Sequence, residues 1–301
     1  MKTVTVVMSS YNGAKYIKRQ IESIYRQKGV GINCFIRDDG SNDDTLTVLS
    51  ELQKKYENLS FVCGENVGWE RSFFLALKLA PLADYYAFAD QDDVWFDTKI
   101  INGINQIEKY AEDEVVMFHC NKISVTEDFS PLPHQIKRLN SPLNRKNAVI
   151  QEYAQGCSII FNNTAKKLIT KKEPKEKIAH DFWAGLICFL FGHVVYDENP
   201  YFYHISYGHN ASGEGHLIKS WKKRLSMFFK SEKVYYLPSL DLLSDAYIDL
   251  LTSNDKKFLQ CTVDYKKNVI SKIKLLCSFQ FRRASVLGTL SLKCAILSNR
   301  L

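Results

Sequence analysis

Short apolar runs alternate with amphipathic stretches over the first 95 residues of the chain. The first run turns polar at Ser9 and is followed by Ile17, Ile21 and Ile24, which are spaced like the buried face of a helix. The same change of period recurs twice. The pattern therefore predicts strands over residues 4–8, 32–37, 59–63 and 85–89, and helices over 17–27, 45–56 and 72–80.

Strands that alternate with helices indicate an α/β fold with an open, mostly parallel sheet covered by helices on both faces. Ligands of such sheets bind beyond the carboxyl ends of the strands. A polar loop follows each predicted strand here, over residues 9–13, 38–44, 66–71 and 90–93. We therefore expect these four loops to meet at one edge of the sheet and to form a site.

The last of these loops carries Asp90, Asp92 and Asp93 within four residues. Like charges this close raise each other's pKa, so a divalent metal or a metal-bound phosphate is the natural counter-ion. All-oxygen ligands suit Mg²⁺ or Mn²⁺. The alternative is a solvated acidic turn that caps a helix beginning near Asp97.

The loop over residues 9–13 contains neither a GxGxxG turn nor a Walker loop, which excludes the common dinucleotide-binding and P-loop sites. Tyr11 offers a ring for base stacking, and Asp38 or Asp39 can accept a hydrogen bond from a pyrimidine imide. Together with a metal-bound diphosphate, these features fit a nucleotide-sugar. Tyr11 can instead cover the sheet edge, and residues 38–41 can form a tight turn before a helix capped by Asp43 or Asp44.

The composition is that of a globular protein, since 46% of the 301 residues are hydrophobic and 24% are charged. The first strand is too short for a signal peptide, and the apolar run over 182–191 is too short to span a membrane. The eight cysteines form no CxxC pair. Those at positions 34, 63, 120, 157 and 188 lie in apolar stretches, which predicts buried, reduced thiols and a cytoplasmic location.

The positive charge is concentrated in the last part of the chain. Residues 1–215 carry 24 basic and 27 acidic side chains, a net charge of −3, whereas residues 216–301 carry 16 and 6, a net charge of +10. A boundary near Gly213 is expected. Basic and apolar residues mix over 218–230 and 266–283, as in helices that lie on an anionic membrane surface. The alternative is amphipathic helices that pack on the first domain. Nucleic acid is not expected as a partner, because the acidic loop would repel phosphates.

Four motifs resemble, in order and spacing, the signature of family 2 glycosyltransferases with the GT-A fold. They are Val6-Val7-Met8-Ser9-Ser10-Tyr11-Asn12-Gly13, Asp38-Asp39-Gly40-Ser41-Asn42-Asp43-Asp44-Thr45, Asn66-Val67-Gly68 and Asp90-Gln91-Asp92-Asp93-Val94-Trp95. The resemblance covers about the first 210 residues. It implies a catalytic domain over 1–213, with a nucleotide-sugar half (1–95) and an acceptor half (96–213), followed by a basic helical extension over 214–301.

The resemblance also implies roles for the loop residues. Tyr11 would stack on the base, Asp39 would read uracil or thymine, and Asp90 and Asp92 would bind the metal, with Asp92 nearest. Arg71 would contact phosphate, or else form a surface salt bridge. The full set expected at the donor is Ser9, Tyr11, Asp38, Asp39, Asn66, Gly68, Arg71, Asp90, Gln91, Asp92 and Asp93.

The acceptor half resembles the family at residues 152–161 and at Ala179-His180-Asp181-Phe182-Trp183. Asp181 is the expected general base, which takes the proton of the acceptor hydroxyl as its oxygen attacks the anomeric carbon. Its alternative role is a helix cap. Gly156 would permit close approach. The residues expected near the acceptor are Trp95, Gln155, Gly156, His180, Trp183 and His209, of which Trp183 would be read as a core residue without the resemblance.

Residues 203–213 depart from the family loop of tyrosine, arginine and a histidine before Gly-x-Asn. Tyr207 stands where the histidine is expected, and His204 lies near the position of the arginine. A metal or phosphate role for this loop is therefore open, with His209 as the candidate replacement.

The motif wording is most similar to that of bacterial rhamnosyltransferases of surface-polysaccharide assembly. This implies dTDP-L-rhamnose as donor and a glycan or undecaprenyl-diphosphate-linked acceptor, in the cytoplasm at the inner face of the membrane. A hexosyltransferase that uses a UDP-sugar is the alternative. A nucleotidyltransferase would be expected to have a Gly-rich phosphate loop, which residues 9–13 do not form, and a binding-only relative would keep the site without activity.

Overall fold

A computed structural model describes residues 1–133, 139–175, 177–207 and 235–301 of the chain. Within them, one eight-stranded sheet has the order β3-β2-β1-β4-β7-β6-β8-β5. The strands are β1 (Thr3–Ser10), β2 (Gly31–Asp38), β3 (Leu59–Cys63), β4 (Tyr85–Ala89), β5 (Val94–Trp95), β6 (Val116–Val125), β7 (Ile160–Asn162) and β8 (His193–Ile205).

Helices connect the strands and continue past them. Those in the first part are α1 (Ile17–Tyr25), α2 (Thr45–Lys55), α3 (Trp69–Leu79), α4 (Lys99–Ile107), α5 (Arg145–Ala148), α6 (Asn163–Ile169) and α7 (His180–Phe191). After residue 235 follow α8 (Ser239–Leu242), α9 (Ser253–Asp264), α10 (Val269–Cys277) and α11 (Val286–Leu297).

The predicted α/β sheet is confirmed. Strands β1, β2, β3 and β4 are mutually parallel, and their register places Ser10 beside Asp38 and Asp38 beside Cys63. The carboxyl ends of these strands therefore lie along one edge. The pairs β4–β7, β6–β7 and β5–β8 are antiparallel, whereas β6–β8 is parallel.

Both faces of the sheet are buried. Successive side chains of a strand point to opposite sides, and helices pack against each side. Val6 and Met8 pack with α1, α2 and α4 in one core, whereas Val7 and Phe88 pack with α3 and α7 in the other. This explains why the first strands read as continuous apolar runs rather than as alternating ones.

Several element bounds differ from the predictions by one to three residues, and β1 ends at Ser10 instead of residue 8. Helix α1 ends at Tyr25, two residues early, and α3 begins at Trp69, three residues early, directly after Gly68, whose φ of 86° favours glycine. The prediction that Cys63 is buried was wrong: it ends the edge strand β3 and is exposed, while the other four are buried. All eight cysteines are free thiols.

The helices after residue 235 pack on the sheet domain. Leu259 and Leu292 share a core with Trp183 and Leu186 of α7. The predicted boundary at residues 213/214 and the predicted basic helix over 218–230 lie outside the described residues. Among the described helices, none has the length and apolarity needed to cross a membrane.

One charged contact ties this extension to the sheet domain. Arg145 donates to both carboxylate oxygens of Asp255 at 2.9–3.1 Å and to the Leu190 carbonyl near the end of α7 at 2.9 Å. Asp255 also closes the capping box of α9 with Thr252. A bidentate, partly buried pair of this kind contributes more than an exposed one.

We expect Arg145→Met to lower the free energy of unfolding by about 1–2 kcal/mol, because Asp255 and a helix end lose their donor. Urea denaturation at neutral pH measures this change. The control is Arg26→Met, whose exposed partner Asp97 lies 3.6 Å away and whose loss should cost about 0.5 kcal/mol or less. Equal effects of the two substitutions would contradict the anchoring role of Arg145.

Candidate functional site

The four polar loops meet at the carboxyl edge of the sheet, as predicted. The side-chain amide of Gln91 accepts from the Tyr11 N–H at 3.0 Å and donates to the Tyr11 carbonyl at 3.1 Å. The N–H of Asn12 donates to the Ser41 hydroxyl at 2.9 Å, and that of Gly13 to the Thr45 hydroxyl at 2.8 Å. These bonds hold the first, second and fourth loops against one another.

Asp38 and Asp39 are buried and serve as acceptors for the loops around them. Asp38 accepts from Ser10 at 2.8 Å and from the backbone and hydroxyl of Ser41 at 2.8 and 2.6 Å. Asp39 accepts from the N–H groups of Val67 and Gly68, each at 3.0 Å, and is paired with Arg37. The second and third loops are thus joined through Asp39.

Arg37 is a site residue that the sequence reading missed. It is 6% exposed, pairs with Asp39, and donates to the Ser72 hydroxyl and the Glu65 carbonyl, both at 2.9 Å. A cation at the end of the otherwise apolar strand β2, just before two aspartates, was the signal for it.

The remaining residues that were predicted to contact the donor lie along the same edge of the sheet. Tyr11 is 44% exposed, so its ring is accessible, and Asn66 is exposed beside Gly68. Ser9 bonds to Ser72 at 2.6 Å. Arg71 forms the surface salt bridge that was its alternative role, with Glu173 at 2.7 Å.

Asp90 and Asp92 have no ion-pair partner in the described part of the chain, and neither caps α4, which begins at Lys99. Burial, together with Asp93 and Asp92, raises the pKa of Asp90 to about 8. Burial and Asp93 raise the pKa of Asp92 to about 7. Two partly buried, unpaired carboxylates fit a hard divalent cation, which would supply the missing positive charge.

Asp93 differs from its neighbours because it has a histidine partner, which is cationic when protonated. It is fully buried, and one of its oxygens lies 2.9 Å from Nδ1 of His204, which also lies 3.4 Å from the Gln155 amide. Burial lowers the pKa of His204, but the hydrogen bond and charge of Asp93 outweigh it and raise it overall. His204 thereby links β8 to the acidic loop.

Ligand atoms of Asp93, Cys157 and His204 lie within 4.8 Å of one another, which is also a geometry for a metal ion. Burial and the charges of Asp93 and Asp90 raise the pKa of the Cys157 thiol well above its usual value, so it stays protonated. A cation at this cluster would have to displace the thiol proton, and the resulting thiolate suits softer metals than Mg²⁺ or Mn²⁺. The chemistry therefore favours Asp90 and Asp92 for a cation, and a buried ion pair for this cluster.

Tyr207, which lies more than 100 positions further along the chain, contacts the acidic loop. Its hydroxyl donates to the Asp92 carbonyl at 3.2 Å and accepts from Arg19 at 2.7 Å, while its ring lies 4.1 Å from that of Tyr16. The residue that stands where a histidine was expected thus contacts the predicted metal loop. His209, the proposed replacement, lies outside the described residues.

Lys99 lies buried behind the acidic loop. Its ammonium sits 3.6 Å from the ring centre of Trp95, and no described residue accepts a hydrogen bond from it. Burial lowers the pKa of Lys99 to about 8, against a small opposing effect of Asp93. Because Trp95 is only 1% exposed, we assign it to the core and do not retain its predicted acceptor contact.

Asp181 lies in the first turn of α7, where its carboxylate accepts from the N–H groups of Gly156 at 3.1 Å and Phe182 at 2.8 Å. It also contributes to the raised pKa of Asp90, so the two carboxylates share one site. Asp181 is not the cap of α7, because Ala179 occupies that position and no side chain caps the helix. Its role as a general base stays a prediction.

His180 is enclosed between aromatic rings. It stacks on Phe73 at 3.7 Å, and a side chain at Gly156 would place its Cβ 2.5 Å from Nε2 of His180. Gly156 thus permits close approach, as expected, but of α7 rather than of a ligand. Burial lowers the pKa of His180 to about 3, so the ring is neutral.

A cavity of about 640 Å³ opens beside His180, between α3 and residues 173–175, 177 and 178. Arg71 and Glu173 pair at its mouth, and Phe74 and Trp183 lie in its wall. Trp183 is 1% exposed and donates its indole N–H to the Ile169 carbonyl at 3.1 Å. We therefore treat it as core, which was its alternative role.

Known protein families and curated proteins include relatives of this chain. The family model described as Glycosyl transferase family 2 matches residues 5–173. The dTDP-rhamnosyl transferase RfbG of Shigella flexneri is 38% identical over 103 residues, which are 33% of this chain and 36% of that protein. The UDP-Glc:alpha-D-GlcNAc-diphosphoundecaprenol beta-1,3-glucosyltransferase WfaP of Escherichia coli is 32% identical over 132 residues, 43% and 49% of the two chains. The chain thus spans between a third and a half of the length of these relatives.

Two solved structures share the fold. TarS 1-349 of S. aureus superposes with a TM-score of 0.56 at 15% identity, covering 97% of this chain and 78% of that one. The mannosyltransferase PcManGT of Pyrobaculum calidifontis, solved with GDP-Man and Mn²⁺, gives 0.54 at 14% identity, covering 98% and 85%.

The buried, neutral His180 predicts a pH-dependent stability. The unfolded chain takes up a proton near pH 6.5 and the folded one does not, so stability falls as the pH drops below 6.5. One such histidine costs about 1.4 kcal/mol between about pH 7.5 and 5.5. We expect His180→Gln to lose about that much of the pH dependence in urea denaturation, and exposed His193→Gln to retain it. An unchanged dependence in His180→Gln would mean that the folded protein protonates this ring.

Proposed function

Since the chain belongs to glycosyl transferase family 2, we propose that it transfers a sugar from a nucleotide-sugar to a hydroxyl of a glycan or lipid-linked glycan, with inversion at the anomeric carbon. One observation carries the proposal. Asp90 and Asp92, unpaired and with raised pKa values, lie on the same edge as the exposed ring of Tyr11 and the carboxylate of Asp181.

The donor would occupy the pocket between the four loops. Tyr11 would stack on the base, and Asp38 and Asp39 would fix the turns that form the base-binding wall, because their oxygens already hold three of these loops. Reading of a pyrimidine imide by Asp39 would then require it to share an oxygen with a backbone N–H. Ser9, Asn66, Gly68 and Gln91 complete the wall.

The diphosphate would lie at Asp90 and Asp92 with Mg²⁺ or Mn²⁺. When bound, such a cation stabilises the negative charge of the departing nucleoside diphosphate. The protein's part is to hold both carboxylates ready, which Tyr207 supports through the Asp92 carbonyl and His204 supports through Asp93. Arg19, which donates to Tyr207, adds positive charge close to the same loop.

Asp181 would act as the general base. It would accept the proton of the attacking hydroxyl, a function that typically contributes about 10²- to 10⁴-fold to the rate. The N–H groups of Gly156 and Phe182 orient its carboxylate. Neutral His180 would form part of the acceptor wall, with Gln155 and Gly156 beneath it, and would not compete for the proton.

L-Rhamnose from dTDP-L-rhamnose is the favoured donor, supported by the partial similarity to a dTDP-rhamnosyl transferase. The similarity to a transferase that uses UDP-Glc and a diphosphoundecaprenol acceptor supports a UDP-sugar as the alternative, and also supports a lipid-linked acceptor. Such an acceptor would place the enzyme at the inner face of the membrane.

The donor is tested by incubating the protein with dTDP-, UDP- and GDP-sugars in the presence of membrane lipid extract and measuring released nucleoside diphosphate. We expect release from one donor and a loss of about 100-fold or more in both Asp92→Asn and Asp181→Asn. Asp97→Asn, at an exposed acid paired with Lys28, should retain wild-type activity.

Donor binding separates the two roles. Asp181→Asn should bind the donor as the wild type does, because its carboxylate acts in the chemical step, whereas Asp92→Asn should bind it more weakly. Release of pyrophosphate instead of nucleoside diphosphate would indicate a nucleotidyltransferase, and donor binding without release from any sugar would indicate a binding-only relative. Either result would overturn the proposal.

Metal removal gives an independent test. We expect EDTA to abolish the release of nucleoside diphosphate, and added Mn²⁺ or Mg²⁺ to restore it in the wild type and in Asp97→Asn. The metal should not restore release in Asp92→Asn, because that variant lacks an oxygen ligand of the cation. Full activity in EDTA would show that Asp90 and Asp92 act without a metal.

A further inference from the structure

The two last helices expose an unusual number of large apolar side chains. Eight of the nineteen exposed large apolar residues of the described chain fall within residues 269–297. They are Val269, Ile270, Ile273, Phe279, Val286, Leu287, Leu290 and Leu297, whose exposed fractions run from 49% to 78%. We call these eight residues the apolar face. The other eleven are spread over the rest of the chain, from Met1 to Leu250.

Helix α11 is apolar on both of its sides. Leu292, Ala295 and Ile296 are buried against the protein, whereas Leu287 and Leu290 on the opposite side are about half exposed. A helix that is hydrophobic all round is normally enclosed, either in a core or in lipid. Among the described residues, none gives the outer side of α11 the cover that its composition calls for.

Positive charge surrounds the apolar face. Residues 265–301 contain eight basic side chains and no acidic one. Lys266, Lys267 and Lys274 are exposed, and the guanidinium of Arg282 lies 4.5 Å from the ring centre of the exposed Phe279. Apolar side chains within a rim of lysine and arginine are the composition of segments that bind anionic lipid surfaces.

The apolar face is held in place before any partner binds. The ammonium of Lys272 donates to the Leu297 carbonyl at 2.8 Å, and that of Lys293 donates to the Leu275 carbonyl at 2.7 Å. Each helix thus caps the carboxyl end of the other. A preformed face loses little conformational entropy when it binds.

We propose that the apolar face of α10 and α11, with its rim of lysine and arginine, docks the protein on an anionic lipid bilayer. The proposal deepens the proposed function, in that a lipid-linked acceptor would be presented at such a surface. A second copy of the chain is the poorer occupant, because a two-fold interface through this face would bring the same eight positive charges together without a single acidic residue to offset them.

Sedimentation of the full chain with vesicles tests the proposal. We expect binding to phosphatidylcholine vesicles that contain about 30% phosphatidylglycerol, much weaker binding to pure phosphatidylcholine, and a decrease as salt rises from about 50 to 500 mM. The triple variant Leu287→Ser/Leu290→Ser/Leu297→Ser should bind at least about tenfold more weakly, because it removes apolar area that the bilayer would bury. Lys266→Glu/Lys267→Glu/Lys274→Glu should lose binding to a similar extent.

Matched controls come from elsewhere on the surface. Leu79→Ser/Leu82→Ser/Leu240→Ser changes three leucines that are 59–77% exposed, and Lys18→Glu/Lys54→Glu/Lys78→Glu changes three exposed lysines. Both should bind vesicles as the wild type does.

Three outcomes would overturn the proposal. They are no binding of the wild type to anionic vesicles at low salt, equal binding of both α11 and control variants, and a dimer in light scattering that the leucine variant of α11 converts to monomer. Nucleoside diphosphate release with the lipid extract dispersed in detergent keeps this test separate, because no bilayer is then present and the surface variants should retain release whether or not docking fails. Failure of the proposed function would abolish release in the wild type.

Discussion

The structure depends on how carboxylates are accommodated where parallel strands end. Asp38, Asp39, Asp93 and Asp181 are each at most 9% exposed, within one edge of the sheet. An ionised carboxylate is costly to bury unless hydrogen bonds or a cation compensate. Each of these four has such compensation. Asp38 accepts from Ser10 and Ser41, and Asp39 is paired with Arg37 and accepts from two backbone N–H groups. Asp93 contacts His204, and Asp181 accepts from two backbone N–H groups. Since these donors come from different loops, satisfying the carboxylates fixes the loops relative to one another.

Asp90 and Asp92 are the exception, and the proposed metal site rests on that difference. They lie partly buried beside the other acids, but no residue in the described part of the chain forms an ion pair with them. Their raised pKa values are the physical expression of that deficit. Four carboxylates of this edge are compensated by hydrogen bonds or a cationic side chain, whereas no described cationic side chain pairs with the other two, so there is a place for an external positive charge.

The edge is completed by residues far away in the chain. His204 and Tyr207 reach Asp93 and the Asp92 carbonyl from more than 100 positions away, and α7 approaches closely because Gly156 has no side chain. The carboxyl end of α7 is in turn held by Arg145, which also binds Asp255 of the extension. The acidic loop and the C-terminal helices thus belong to one connected body, so a bound surface at α10 and α11 would hold the site at a defined position.

The sequence by itself determined the first half of the fold and the place of the site. Apolar runs and helical spacing depend only on local chain geometry, so the strands up to Ala89 and the four loops at their ends were predictable. The roles of Asp90 and Asp92 stay predictions of their motif. Only the tertiary structure decided which acids are paired and which are not, because the partners Arg37, His204 and the N–H groups of residues 67 and 68 are brought together by folding. It also decided that Trp95 and Trp183 are core and that the outer side of α11 is exposed in the described part of the chain. Burial is a property of packed neighbours, and spacing along a chain does not contain it.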